Sequence, residues 1–255
     1  RFSIQSISKI ITLAVALEIC GFDQVFKKVG MEPTGDPFNS LMKLENTDSS
    51  PYNPMINAGA IVVASCLASE ISFDTMLDTI RALCMDPDIN LDKKVYHSEM
   101  SHISRNRAIA YLLESKGYIE KNKDVENSLH FYVKMCSLSV TAESLAGLGL
   151  ILANDGIHPD TGKRLLSSQA VKIVKTLMFT CGMYDGSGEF AVRVGIPSKS
   201  GVGGGILSVV DGEMGIGIFG PALDKKGNSV AGECVLEYMS HELHLHMFDP
   251  QRHTL

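Results

Sequence analysis

No Cys-x-x-Cys pair occurs in the chain, although six cysteines (Cys20, Cys66, Cys84, Cys136, Cys181 and Cys234) are spread along its 255 residues. That spacing excludes a disulfide framework and a zinc ribbon. Most of the six lie inside apolar runs, so they read as buried free thiols of a reducing, cytoplasmic compartment. No His-Glu-x-x-His string is present, and His241, His244 and His246 near the C-terminus lack the partners of a tetrahedral site, so no metal is expected. Basic residues are in the minority, 23 Lys and Arg against 29 Asp and Glu, and they are scattered, which leaves no footprint for nucleic acid. The longest apolar stretch, residues 10–20, is interrupted by Thr12 and Glu18 and is shorter than the ~20 residues that span a bilayer. A soluble protein without a membrane partner is expected. The sequence opens directly on a helix-like pattern, so no signal peptide is expected within it, and it shows no internal repeat or low-complexity tract. The chain opens on Arg1 instead of Met, and an upstream segment is expected to precede it.

What is present is an ordinary globular composition, 45% apolar and 20% charged, on a chain long enough to bury a sizeable core. Residues 5–20 are apolar on nearly every side, the mark of a helix enclosed by the rest of the protein. Gly21 stops it, a short helix over 23–29 follows, and residues 30–54 are rich in Pro, Asn, Asp and Gly. A second enclosed helix is expected at 57–69, and further helices at 73–85, 98–115, 124–136, 141–154 and 167–178, several opening on Ser, Thr or Asp. After Gly188 the pattern changes to short β-branched runs at 190–194, 203–210 and 214–219, with a hairpin signal at Asp211-Gly212. A last helix over 229–245 would cover the sheet. The expected fold is α+β, one domain over 1–255, with a helical portion about 5–180 and the sheet with its terminal helix about 188–247.

Two short motifs carry chemistry. Ser6 and Lys9 share a face of the first helix, so the lysine can reach the serine hydroxyl one turn away. A serine is a weak nucleophile until a base takes its proton, and a lysine is such a base only when burial lowers its pKa. Ile4, Ile7, Ile10, Ile11 and Leu13 supply the apolar surroundings, and Lys9 is the only cation between Arg1 and Lys27. Alone, Ser-x-x-Lys is common, and Ser6 could simply cap the helix while Lys9 reaches solvent. The second motif is Lys199-Ser200-Gly201, ahead of Val202 and three glycines. A Lys-Ser-Gly triplet on an edge strand, roughly 190 residues after Ser-x-x-Lys, is the pairing of penicillin-recognising enzymes, and the strand's backbone N–H can complete an oxyanion hole.

The strings Gln5-Ser6-Ile7-Ser8-Lys9, Asn53-Pro54-Met55-Ile56-Asn57-Ala58-Gly59-Ala60, Cys181-Gly182-Met183-Tyr184-Asp185, Lys199-Ser200-Gly201-Val202 and Gly227-Asn228-Ser229-Val230 resemble the glutaminases of the β-lactamase-like superfamily, over nearly all of the chain. A likeness to bacterial members is expected, since these 255 residues show no ankyrin-type extension such as the animal enzymes carry. It implies a β-lactamase/transpeptidase-like fold and hydrolysis of L-glutamine to L-glutamate and ammonia without a cofactor, by a homodimer or homotetramer. Ser6 would be the nucleophile and Lys9 its base, with Tyr184 in the same proton network and either of the two able to take the proton first. The backbone N–H groups of Ser6 and Val202 would hold the oxyanion, and Asn57, Glu99, Asn106 and Tyr132 the amino-acid head of the substrate. Glu99 suits the α-ammonium, and Asn57 and Tyr132 can donate to the α-carboxylate. Outside the family each of these four reads as a surface, capping or packing residue. Ser104-Arg105-Asn106 resembles the Ser-x-Asn element of penicillin-recognising enzymes. The family also places a tyrosine upstream of the Ser-x-x-Lys helix, ahead of anything in this sequence. Two rival readings stay open at this point: a penicillin-recognising hydrolase or peptidase, and a catalytically silent amino-acid-binding relative.

Overall fold

The computed structural model describes residues 1–34, 50–121 and 124–252. At its centre are two helices, α1 (Ser8–Ile19) and α3 (Asn57–Ala68), packed on each other. In α1 every residue from Ser8 to Leu17 is buried, and in α3 every residue from Asn57 to Leu67. Their sequences have no polar stripe to turn toward water, so enclosure is the arrangement that satisfies them. The short α2 (Phe22–Phe26) follows α1, and the expected loop at 30–54 lies partly outside the described residues. Around the central pair are α4 (Phe73–Leu83), α5 (Lys93–Ser101), α6 (Ser104–Ser115), α7 (Val125–Cys136), α8 (Ala142–Ala153) and α9 (Ser168–Cys181). Six helices open where a polar cap stood in the sequence. Ser72, Asp92, Asp124, Thr141, Ser167 and, before the last helix, Ser229 each accept a bond from a first-turn N–H. Each such cap is worth about 1 kcal/mol.

The sheet near the C-terminus is antiparallel, β4 (Ser198–Ser200), β5 (Gly205–Val210) and β6 (Met214–Phe219), in that order, with Lys199 opposite Leu207 and Leu207 opposite Gly217. β5 is buried along its whole length because both faces are covered. On one face lies α8, whose approach to β6 leaves no room for side chains: a Cβ at Gly217 would stand 1.9 Å from the Ala142 carbonyl oxygen. On the other lies a second apolar cluster, in which Ile206, Val210 and Ile216 meet Met183, just after α9, and Phe190 and Leu236 from α10 (Ser187–Arg193) and α11 (Val230–Glu242). Structure and expectation agree on helices preceding an antiparallel sheet in an α+β layout.

Three local expectations are corrected. Residues 190–194 are not a strand: they belong mostly to helix α10, which buries Phe190 and Val194, four apart, and leaves Val192 80% exposed. A strand would have put all three on one face, and five residues are too few for periodicity to decide. The middle is not all helical, since β1 (Phe2–Ser3), β3 (Leu138–Val140) and β2 (Asn90–Leu91) form a small antiparallel sheet in that spatial order, in strands too short to leave a pattern. The single helix expected over 98–115 is broken at His102 and Ile103. There Ser101 Oγ donates to the Ser98 carbonyl and the His102 ring also meets that oxygen, side chains competing with the helical ladder. Among the described residues no single helix is long and apolar enough to cross a membrane.

Candidate active site

The nucleophile position is made by backbone, before any side chain is considered. Ser6 lies in a 3-10 turn, Gln5–Ile7, that leads into α1, and Gln5 holds the left-handed conformation at φ 49°. Such a backbone costs a non-glycine residue about 1–2 kcal/mol and survives only when its surroundings impose it. They do so here: Ile4 N–H donates to the Leu138 carbonyl at 2.9 Å, and Ser8 Oγ donates to the Gln5 carbonyl at 2.7 Å. The chain after β4 passes so close that a Cβ at Gly201 would stand 2.8 Å from the Ile4 oxygen, and one at Gly203 would stand 2.3 Å from the Ser3 oxygen. Glycine at both places lets the strand and the turn meet backbone to backbone.

Lys9 follows one turn later and is 2% exposed. Its Nζ donates to the Asn57 Oδ1 at 2.8 Å and to the Met55 carbonyl at 3.0 Å. Burial lowers its pKa from 10.5 to about 8, a drop only partly opposed by Cys136 nearby. Asn57 is in place because Asn53 Oδ1 accepts the N–H of Met55 and of Ile56, folding the approach to α3 into a fixed turn. Asn57 in turn donates to Asn106 Oδ1 at 3.1 Å.

Tyr184 reaches the same place from the sheet side, on a 3-10 turn, Tyr184–Gly186, that follows α9. Burial pushes its phenol up to about 12, and hydrogen bonding to the Ser6 side chain and to the Val202 backbone N–H pulls part of the way back. The Ser6 side chain and the Val202 amide, both named from sequence, therefore lie close to the Tyr184 hydroxyl. Lys199 is fully buried behind them, its Nζ donating to the Ser200 carbonyl at 2.6 Å and lying 4.5 Å above the centre of the Tyr184 ring. Burial first, and Lys9 second, hold that amine well below its ordinary pKa.

The remaining residues stand on the helical side. Glu99, on α5, accepts a bond from Gln5 Nε2 at 3.1 Å, which ties a carboxylate to the residue beside Ser6. Tyr132, on α7, is 7% exposed, and burial, the Cys136 thiol, Glu99 and Tyr184 together raise its pKa well above 10. Of the eight residues expected from the sequence, Ser6 and Val202 lie by Tyr184, Lys9 bonds to Asn57 and Asn57 to Asn106, Glu99 is bonded to Gln5, and Tyr132 has Glu99 and Tyr184 near it. Sequence reasoning passed over Gln5, the Met55 carbonyl and Cys136 as working parts. Gln5 sat inside a quoted string and Cys136 four residues after Tyr132, which were the available signals. No disulfide joins any of the six cysteines; Cys66, Cys84, Cys136 and Cys181 are buried as expected, whereas Cys20 is half-buried and Cys234 exposed. The histidines His241 and His244 each lie against a separate acid, Glu242 and Asp249, and His246 packs on Gly195.

The geometry matches known proteins. The Glutaminase family model matches residues 1–248. A glutaminase of Fusobacterium nucleatum is 54% identical over 252 residues, 97% of this chain and 82% of the relative, and one of Clostridioides difficile is 54% identical over 97% and 81%. The crystal structure of a probable glutaminase of Bacillus subtilis superimposes with a TM-score of 0.91 at 40% identity, covering 97% of this chain and 83% of that one. A second, at TM-score 0.85 and 38% identity over 97% and 82%, is a B. subtilis glutaminase in covalent complex with 5-oxo-L-norleucine.

Proposed function

The chain belongs to the glutaminase family and is an amidohydrolase of L-glutamine; we propose that it works by acyl transfer through Ser6 with Lys9 as the base. What supports the mechanism is a buried amine one turn after Ser6, lowered to about 8, with the Tyr184 phenol close to the Ser6 side chain and the Val202 N–H opposite. Lys9 at about 8 and Tyr184 at about 12 also favour Lys9 over Tyr184 as the base. At pH 7 roughly one Lys9 in ten is a free amine, against about one Tyr184 in 10⁵ as phenolate. A neutral amine has two N–H bonds and one lone pair. The Met55 carbonyl and Asn57 Oδ1 can accept the two N–H bonds, and the lone pair can take the serine proton.

In the first step Ser6 Oγ bonds to the side-chain amide carbon, its proton passes to Lys9, and the oxyanion is held by the Ser6 and Val202 N–H groups. Each such donor is worth about 3 kcal/mol. The C–N bond then breaks as nitrogen takes a proton back from Lys9 through the Tyr184 hydroxyl, and ammonia leaves. Water, deprotonated by the same amine, opens the γ-glutamyl ester to L-glutamate. Glu99 pairs the α-ammonium, while Tyr132, Asn106 and the second N–H of Asn57 address the α-carboxylate. The covalent adduct of the B. subtilis relative with a glutamine-like ketone supports the acyl route.

Ammonia release measured side by side on L-glutamine, L-asparagine and a chromogenic β-lactam tests the reading. Turnover of the lactam without ammonia from glutamine would replace it with a penicillin-recognising hydrolase, and glutamine binding without turnover with a silent relative. Within it, Glu99→Gln is expected to raise KM for glutamine about ten- to a hundredfold, because the ammonium loses its counter-charge. An unchanged KM removes Glu99 from the substrate site. The protein is further proposed to be a homodimer or homotetramer, which would cover exposed apolar side chains such as Val192 and Tyr238; a mass near 27.6 kDa by light scattering would contradict that. Its unbridged thiols suit the cytoplasm.

A further inference from the structure

We infer that the hydrogen bond between Tyr96 and His130 is a brace that holds Glu99 where the substrate ammonium needs it, so that Tyr96 and His130 are positioning residues for glutamine binding. The inference rests on the reading of Glu99 as the partner of the α-ammonium. Helix α5, which carries Glu99, buries none of its nine residues. It is fixed at its entry, where β2 pairs with β3 and the Asp92 N–H donates to the Ser137 carbonyl, and it ends at the break at His102 and Ile103. Of its side chains, Tyr96 and Met100 pack half-buried against the core. So few buried contacts mark a segment that shifts at low cost.

Helix α7 is the opposite case. Eight of its twelve residues are buried, so it stands still where α5 has freedom. The Tyr96 hydroxyl meets His130 Nδ1 at 2.6 Å and ties the loose helix to the fixed one. A phenol has one hydrogen to give, and Nδ1 of a neutral imidazole can receive it while Nε2 carries the ring hydrogen, so Tyr96 donates. Tyr96 and Glu99 stand three apart and share a face of α5, so a bond at the first fixes the rotation of the helix at the second. Among the described residues one other side-chain hydrogen bond reaches from α5 to another element, Gln5 Nε2 to Glu99 Oε1 at 3.1 Å. Gln5 occupies a single carboxylate oxygen, which leaves Oε2 for an ammonium. Without the Tyr96 bond the carboxylate depends on Gln5 alone. A charge pair weakens with separation, so a Glu99 that swings with its helix binds the ammonium less tightly.

Steady-state kinetics of the full chain, with melting temperature measured alongside, test this. Tyr96→Phe removes the hydroxyl and keeps the ring; it is expected to raise KM for L-glutamine about three- to tenfold, a partial loss of the charge pair, with kcat within about twofold. His130→Leu is expected to reproduce that rise. His130→Asn, whose side-chain oxygen offers an acceptor close to the place of Nδ1, is expected to recover most of it. In a Glu99→Gln background Tyr96→Phe is expected to add nothing, since the brace acts through that carboxylate. If Tyr96→Phe does not fold, the two His130 variants carry the same comparison. An unchanged KM in Tyr96→Phe where Glu99→Gln raises it, a full rise in the Glu99→Gln background, or a fall in kcat and melting temperature at constant KM would each overturn the inference. An unchanged KM in Glu99→Gln would instead remove the role of Glu99, and the inference with it.

Discussion

Replacing Ser6 by alanine is expected to lower ammonia release from L-glutamine by at least about 10⁴-fold, because no other group can form the acyl bond and the oxyanion donors and binding contacts alone leave only a small residual rate. The fold should scarcely notice. The 3-10 turn around Ser6 is held by the Ile4, Gln5 and Ser8 contacts, none of which uses the Ser6 side chain. What is lost is the bond to Tyr184, about 1 kcal/mol, or roughly 2–4 °C in melting temperature for a chain of this size. A coupled assay for ammonia and a thermal melt on the same preparation decide the matter. Residual turnover near that of the parent would move the nucleophile to another residue, and a collapse of the melt would show that Ser6 has a structural task.

Lys9→Met is the second large effect, and it works in opposite directions on activity and on stability. Activity should fall about 10³-fold or more for want of a base. Stability at neutral pH should rise. The folded chain holds Lys9 at about 8 against 10.5 for an exposed lysine, so between those values the unfolded chain binds the extra proton and stability climbs with pH. Below pH 8 the full penalty is present, about 3 kcal/mol, and above 10.5 it is gone. Methionine has nearly the same shape and no charge, so it should recover much of that difference at pH 7, less the bonds to Met55 and Asn57. The parent enzyme should show kcat/KM rising with pH and levelling near 8. A parent profile flat from pH 6 to 9, or a Lys9→Met variant less stable than the parent, would argue against a depressed amine as the base.

The sequence made α1 and α3 legible because helices that are apolar on every side can only be enclosed, and the capped helices because Ser, Thr and Asp stand where first-turn N–H groups need an acceptor. The Met214–Phe219 strand was legible to the residue, since glycines alternate with bulky residues where α8 presses on the sheet. What escaped was set by tertiary contacts. Lys9 and Asn57 are 48 residues apart, and Gln5 and Glu99 are 94 apart, so no local pattern links them. Phe190 to Val194 misled because its β-branched residues fit a strand, while the packing of Phe190 and Val194 into the second cluster selects a helix. The assignment of individual residues to the site came from resemblance, and only the fold shows which of them touch.

The glycine contacts between the Ser6 turn and the segment after β4 have a mechanical consequence. Where two parts of a machine meet through side chains, their spacing can drift as rotamers change and neighbours repack. Here the serine and the amide that faces it sit on two lengths of main chain pressed together at Gly201 and Gly203 with nothing between them. The gap across which a carbonyl must fit is then a fixed gauge, set by peptide dimensions and insensitive to substitutions elsewhere in the wall. Tuning toward a longer or shorter amide must come from the far rim, at Glu99 and Tyr132, where side chains still have room to adjust.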